Sequence, residues 1–391
     1  SYTVTDADVA IQPATRTGYD FLGWYDNAAF TGSPVTNLHT MDAENKHYYA
    51  KWSAAKNYTV QWNLNDGAPA GHPASNPNTV TSYTVLDADV TIQPATRTGY
   101  TFLGWYDNAS FAGTPITDFP AMDAAAKTFY AKWSSADTYT VAYTLNDGTP
   151  AGHTATNPNT VTSYTVLDSN VILAPATRTG YDFEGWYDNP GFTGTPITGF
   201  PTSDAENKHY YAKWSAAKSY TVQWNLNDNT PAGHPANNPN TVASYTVLDA
   251  DVTIHPATRT GYTFLGWYDN AALTGTPVTN LHTMDAENKQ YFAKWDSTPN
   301  SYPIHYVLND GSPARHPATN PAANLTSYTV LTNGSGNISL LPALRNGYTF
   351  EGWYDNAAFS GTPISGFPAM DATPKTFYAK WSSANNYSVT Y

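Results

Sequence analysis

The tripeptide Ala-Lys-Trp occurs five times, ending at Trp52, Trp133, Trp214, Trp295 and Trp381, with spacings of 81, 81, 81 and 86 residues. A second marker, Gly-Trp-Tyr-Asp-Asn, keeps the same period: its tryptophans, Trp24, Trp105, Trp186, Trp267 and Trp353, each lie 28 residues before an Ala-Lys-Trp tryptophan. Two markers on one period define a tandem array in which each repeat is one folding unit. Length alone, 391 residues, would suggest two or three domains; the period divides the chain into nearly five units instead. A unit this small buries only about 60–65% of its unfolded surface, so its core has to be built from large side chains. Aromatic residues, 15% of the chain, supply them, each buried ring removing roughly 150–250 Å² from water.

Residues 58–138, 139–219, 220–301 and 302–386 read as four repeats, the last longer than the others. Residues 1–57 read as a repeat lacking its first strand, and residues 387–391 match the first strand of a following one. The chain therefore reads as a window on a longer protein. In the reference unit, Tyr58 to Leu64 alternates apolar and polar side chains, as a half-buried strand does, and Asn65-Asp66-Gly67 ends it. Ala68 to Asn78 holds Pro69, Pro73 and Pro77 and reads as an ordered surface loop that donates few backbone hydrogen bonds. Further strands are expected at Thr79 to Val85, Val90 to Ile92, Tyr100 to Tyr106, Pro115 to Thr117 and Thr128 to Trp133, with a turn at Arg97-Thr98-Gly99-Tyr100. Gly104 reads as a bulge or a point of close backbone approach. Single helical turns are expected at Ala109 to Phe111 and at Asp123 to Lys127, and no segment has the spacing of a long amphipathic helix. The connector from Ser134 to Thr138 spans at most ~17 Å, so neighbouring units should touch and the array should be semi-rigid. The five extra residues of the last repeat fall at its junction, in its proline-rich loop and between Leu331 and Ile338, all loops on this reading.

Thr96-Arg97-Thr98-Gly99-Tyr100-Thr101-Phe102-Leu103-Gly104-Trp105-Tyr106, together with Tyr130-Ala131-Lys132-Trp133 and an opening Tyr-x-Val followed by Asn-Asp-Gly, closely resembles the Listeria/Bacteroides repeat, also called the internalin B-repeat family. The resemblance covers every unit. It implies a mainly β, β-grasp-like module, strung as beads in an elongated rod and found in bacterial cell-surface and secreted proteins. The long loop around Gly71-His72-Pro73 departs from the family pattern and is a candidate for setting how adjacent units pack.

The composition narrows the function. Net charge is −13 with no run of Lys or Arg, which argues against nucleic acid as a partner. The absence of cysteine excludes disulfides and thiolate metal sites, and no apolar stretch approaches the ~20 residues of a membrane helix. Catalysis has no support: His72, His153, His234 and His316 sit in proline-rich loops with no nucleophile-and-acid set beside them. The paired carboxylates Asp6/Asp8, Asp87/Asp89 and Asp249/Asp251 have a spacing that calcium sites use. The third repeat breaks the pattern with Asp168-Ser169-Asn170 and the fifth has no acid there, so Asp-capped turns are the plainer reading. Trp105, Tyr106 and Trp133 could form a glycan platform but read first as core. Lys51, Lys132, Lys213, Lys294 and Lys380 could enter Lys-Asn isopeptide crosslinks; a wet-face lysine covering aromatic surface is simpler. No catalytic, cofactor-binding or metal-binding residue is assigned. The expectation is an extracellular stalk or spacer at the bacterial cell surface, whose partners are the neighbouring repeats. Two alternatives stand beside it: a multivalent weak binder of a host glycan or protein, and a filament subunit that donates its terminal strand.

Overall fold

The computed structural model describes residues 1–148, 152–229, 232–311 and 316–390. Parts of the proline-rich loops of the last three repeats, and Tyr391, lie outside the described residues. The chain forms two compact units, residues 1–146 with 156–176 and 183–213, and residues 147–155 and 177–182 with 214–391.

In the second repeat the first strand, Tyr58–Asn63, lies parallel to the last, Lys127–Ala136, with Val60 opposite Lys127 and Trp62 opposite Phe129. Parallel neighbours need a long crossover, and the rest of the repeat is that crossover. Tyr100–Tyr106 pairs antiparallel with the other side of the last strand, placing Trp105 opposite Ala131. Ser82–Tyr83 flanks the first strand, and Thr96–Arg97 then Ala74–Ser75 extend the sheet beyond Tyr100–Tyr106. The parallel pairing recurs with Val141 opposite Lys208, Val222 opposite Lys289 and Ile304 opposite Lys375. This is a mainly β module with a mixed sheet. Among the described residues there is no α-helix, only short 3₁₀ turns such as Ala121–Asp123.

The core gathers where the two markers meet. Trp105 is 2% exposed and packs edge-on against Trp62 (4.9 Å between ring centres) and Phe102 (5.7 Å), while its indole N–H donates to the Gln93 carbonyl at 2.9 Å. Phe129 and Ala131 of the last strand are buried beneath it, with Val60 from the first strand. Gly104 is both the bulge and the close approach: pairing shifts register there, its φ is +127°, and a Cβ on it would lie 2.5 Å from the Pro115 side chain. In the first repeat no described strand lies beyond Tyr49–Trp52, and Trp24 is only half-buried.

Several local expectations need correction. The strand expected over Thr79–Val85 contracts to Ser82–Tyr83, because Thr84 leaves the sheet to begin a turn closed by the Asp87 carboxylate. The turn expected at Asp123–Lys127 forms two residues earlier, at Ala121–Asp123, and ends where Ala124 adopts a left-handed conformation (φ 48°). The segment Ala109–Phe111 is a turn, with Phe111 at φ 53°. Ile116 makes only a bridge to Trp105, and the strand falls at Asp118–Phe119, pairing with Val90–Thr91. The proline-rich loop contains a strand after all, Ala74–Ser75, paired with Thr96–Arg97.

The repeats differ at a core position of the first strand. Trp62 and Trp224 donate their indole N–H to the carbonyls of Val80 and Val242. Tyr143 and Tyr306 occupy the same place with buried hydroxyls that have no hydrogen-bond partner, and burial pushes the Tyr306 phenol up to about 12. An unpaired buried hydroxyl costs more than it returns. Tyr143→Phe is therefore expected to leave the third repeat as stable or up to ~1 kcal/mol more stable, measured by amide exchange within residues 139–213; a loss above that size would mean the hydroxyl has a partner.

Candidate functional site

The most constrained feature outside the cores is the joint between consecutive repeats, built around the glycine of Arg-Thr-Gly-Tyr. Gly99 ends a tight turn with φ +78°, and its α-face is filled by the next repeat: an added Cβ would lie 2.3 Å from Val166 Cγ1. Gly18 meets Val85 in the same way within the first compact unit. In the second unit, Gly180 meets Val247 and Gly261 meets Val330. Val166, Val247 and Val330 are buried, whereas Val4 is 50% exposed. Gly347 keeps the same conformation, φ +80°, with nothing within 4 Å of the Cβ position. The left-handed turn is thus a property of the repeat itself.

The same glycine holds the connector. The Gly99 carbonyl accepts the Asp137 N–H at 2.8 Å, and Gly18, Gly180, Gly261 and Gly347 accept from Lys56, Lys218, Asn300 and Asn385 at 2.7–2.9 Å. The connector side chains add a second tie: Lys56 pairs with Asp20 at 3.0 Å, Lys218 with Asp182 at 2.9 Å, and Asn300 accepts from Thr263 at 2.8 Å. Five or six residues held at both ends have little conformational freedom.

The proline-rich loop borders this joint. Arg97 is 6% exposed; its Nε donates to the His72 carbonyl at 2.8 Å and its Nη2 to the carbonyls of Ala68 and Pro69 at 3.2 and 3.4 Å. The guanidinium also lies 4.1 Å over the Tyr100 ring, and the Asp66 carboxylate accepts the Ala74 N–H at 2.8 Å. A buried cation held by carbonyl dipoles and a ring face fixes the loop's backbone. Arg178, Arg259 and Arg345 make the corresponding bond to His153, His234 and His316. Sequence reasoning suggested that the loop bears on packing between units but did not foresee Arg97 as its organiser.

The other candidates fall into structural positions. Asp8, Asp89 and Asp251 accept the N–H of Thr40, Ala121 and Thr283 at the start of the 3₁₀ turns. Where the acid is missing, the Asn170 amide oxygen accepts from Thr202, and the Gly336 carbonyl accepts from Ala369. The shared job is accepting a hydrogen bond, which needs no charge. Asp8 and Asp251 also meet His39 and His282 at 2.6 and 2.7 Å. The bond from Thr283 N–H and then His282 hold the Asp251 carboxyl below its ordinary value. A depressed carboxyl contributes stability that is present above its unfolded pKa and lost as pH falls through the folded one, so repeats one and four should weaken below about pH 4. Melting temperatures should be unchanged between calcium and chelator; a rise with calcium would indicate a metal site. Among the described residues no three His, Asp or Glu side chains gather as a metal-ligating group.

Trp105 and Tyr106 are buried, and Trp133 packs half-buried against the core cluster that holds Trp105. Lys132 and Lys294 lie 5.1 and 5.0 Å over Tyr106 and Tyr268, while Lys213 and Lys380 pair with Glu184 and Glu351 at 3.0 and 3.1 Å. These contacts match the reading of a lysine stem over aromatic surface.

Repeats two to five, each with a mixed sheet, and the antiparallel first repeat, all with connectors tied back to a glycine, define a tandem-repeat protein. The chain belongs to the Listeria–Bacteroides repeat family, whose domain matches residues 1–51, 58–132, 139–213, 220–294 and 302–380. Two relatives from Evansella cellulosilytica are similar along most of it. One, named "Putative Gly-rich membrane protein", is 27% identical over 96% of this chain and 40% of its own length. The other, named "Putative membrane protein", is 28% identical over 86% of this chain and 45% of its own length. The chain thus spans less than half the length of these relatives. No solved structure matches it. No described helix is long and apolar enough to cross a membrane.

Proposed function

We propose that this chain is a spacer in a bacterial cell-surface protein, extracellular, projecting other parts of that protein outward. The observation that carries the reading is the joint: glycine notch, incoming valine and tied connector recur in every consecutive pair of repeats. A joint of this kind converts repeat number into reach, whereas multivalent binding alone asks only for a tether. The membrane-protein names of the Evansella relatives and the family's occurrence in surface proteins support the location. The boundaries 58–138, 139–219, 220–301 and 302–386 are the proposed units of length, each bringing its own first strand and ending in a connector.

The test is height. The chain is placed between a membrane anchor and a fluorescent reporter on a bacterial surface, and repeats are removed one at a time. Equal inward steps of the reporter are expected; a height indifferent to repeat number would overturn the spacer reading. A glycan and host-protein array probed with the same chain should stay blank, and saturable binding there would favour the multivalent-binder alternative.

A further inference from the structure

The fifth repeat is longer by three residues between Leu331 and Ile338, and those residues reach back to the preceding repeat. Thr332–Ser335 folds into a tight turn in which Asn333, Gly334 and Ser335 all have positive φ, 54°, 63° and 66°. Ser335 Oγ lies 3.2 Å from Nε2 of His234, in the proline-rich loop of the fourth repeat. Beside this contact Val330, fully buried, enters the Gly261 notch. His234 itself is only 2% exposed. Its counterpart His316 is exposed.

The surroundings of the His234 imidazole suit only its neutral form. The Arg259 guanidinium, donating to the His234 carbonyl at 2.8 Å, is the nearby cation, and Tyr262 presents its ring at 6.0 Å. Asp228 lies in the same loop, but its carboxylate accepts the Ala236 N–H and its carbonyl accepts from Arg259. From the fifth repeat the group in contact is the uncharged Ser335 hydroxyl, and the uncharged Val330 fills the Gly261 notch. Among the described residues no carboxylate pairs with His234, and its Nδ1 is buried without a partner. Burial, then Arg259, hold its pKa below the ordinary imidazole value.

We propose that the joint between the fourth and fifth repeats is a proton-sensitive latch, closed on neutral His234 by the inserted Thr332–Ser335 turn and released when that imidazole is protonated. The sign follows from linkage. The closed joint disfavours the proton and the open joint exposes the ring to water, so closure is complete above the ordinary imidazole pKa and weakens by about tenfold per pH unit below it, until the closed form itself takes the proton. His39 and His282 pair with Asp8 and Asp251 inside single repeats and do not span the joint.

The chain has no cysteine, so Ala271→Cys with Ala357→Cys gives a unique pair of labelling sites, one in each repeat, for pulsed electron-spin distance measurement on the full chain. A single narrow distance distribution is expected at pH 7.5 and a broadened one at pH 5. In His234→Gln the distribution should be the same at both pH values, and His316→Gln should respond as the parent does. A parent distribution unchanged between the two pH values, or a His234→Gln variant that still broadens, would overturn the latch. Should His234→Gln disturb the fourth repeat, seen as a change in near-ultraviolet circular dichroism, Ser335→Ala serves instead. It should move the broadening to higher pH, and an unmoved midpoint would count against the turn as the closing element.

Discussion

Replacing Trp105 by Ala is expected to unfold the second repeat, or bring it close to unfolding, while leaving the others folded. A unit of this size is stabilised by roughly 4–12 kcal/mol in total, at about 0.05–0.15 kcal/mol per residue. A buried Trp→Ala change costs about 3–5 kcal/mol through lost transfer energy and the cavity left behind. Trp105 lies at the unfavourable end of that range. It touches aromatic rings from the first strand and from its own strand, and its N–H satisfies the Gln93 carbonyl. The same change at the half-buried Trp24 should cost clearly less. Limited proteolysis of the full chain, with the cut sites mapped, checks both. Cleavage confined to residues 58–138 in Trp105→Ala is the expected pattern; equal sensitivity of the two variants would mean that the cores do not depend on this contact.

The second large effect concerns the joint rather than the core. Gly99→Ala and Gly347→Ala form a matched pair, since both glycines have φ near +80° and both carbonyls hold a connector N–H. Each variant pays about 1–2 kcal/mol for placing a Cβ in a left-handed conformation. Only Gly99→Ala also drives a methyl to 2.3 Å from Val166, and overpacking of that kind costs typically 1–3 kcal/mol unless the neighbour moves away. Val166 belongs to the next repeat, so the second and third repeats should separate. The expected readout is a gain in amide exchange at residues 163–168 in Gly99→Ala, with no gain at the other joints in Gly347→Ala. If the two variants behaved alike, the notch would be a turn glycine and nothing more.

Much of the module was legible because its signals are local. Alternation in Tyr58 to Leu64 and in Thr128 to Trp133 marked the strands that become the parallel pair, and Gly104 beside Trp105 marked the bulge. What escaped depends on partners distant in sequence. Ala74–Ser75 pairs with Thr96–Arg97 because the Arg97 guanidinium gathers the loop's carbonyls, and no pattern within the loop announces that. The 3₁₀ turn at Ala121–Asp123 is set by the Asp89 carboxylate, 32 residues earlier. The joint was hidden for a different reason. Gly99 reads as an ordinary turn glycine and Val166 as an ordinary strand valine, and each acquires its role only against the neighbouring repeat. The signal that could have paired them is the companionship of Arg-Thr-Gly-Tyr with Tyr-Thr-Val-Leu, both kept in repeats two to four.

The central claim is that consecutive repeats are docked through the glycine notch. Small-angle X-ray scattering of the full chain at pH 7.5 tests it most directly. The parent chain should give the pair-distance profile of neighbouring modules held in contact rather than of modules that move independently. Combining Gly18→Ala, Gly99→Ala, Gly180→Ala and Gly261→Ala should turn that profile into one of flexibly linked globules. A parent chain that already scatters as a flexible or collapsed string, unchanged by the four substitutions, would contradict the account.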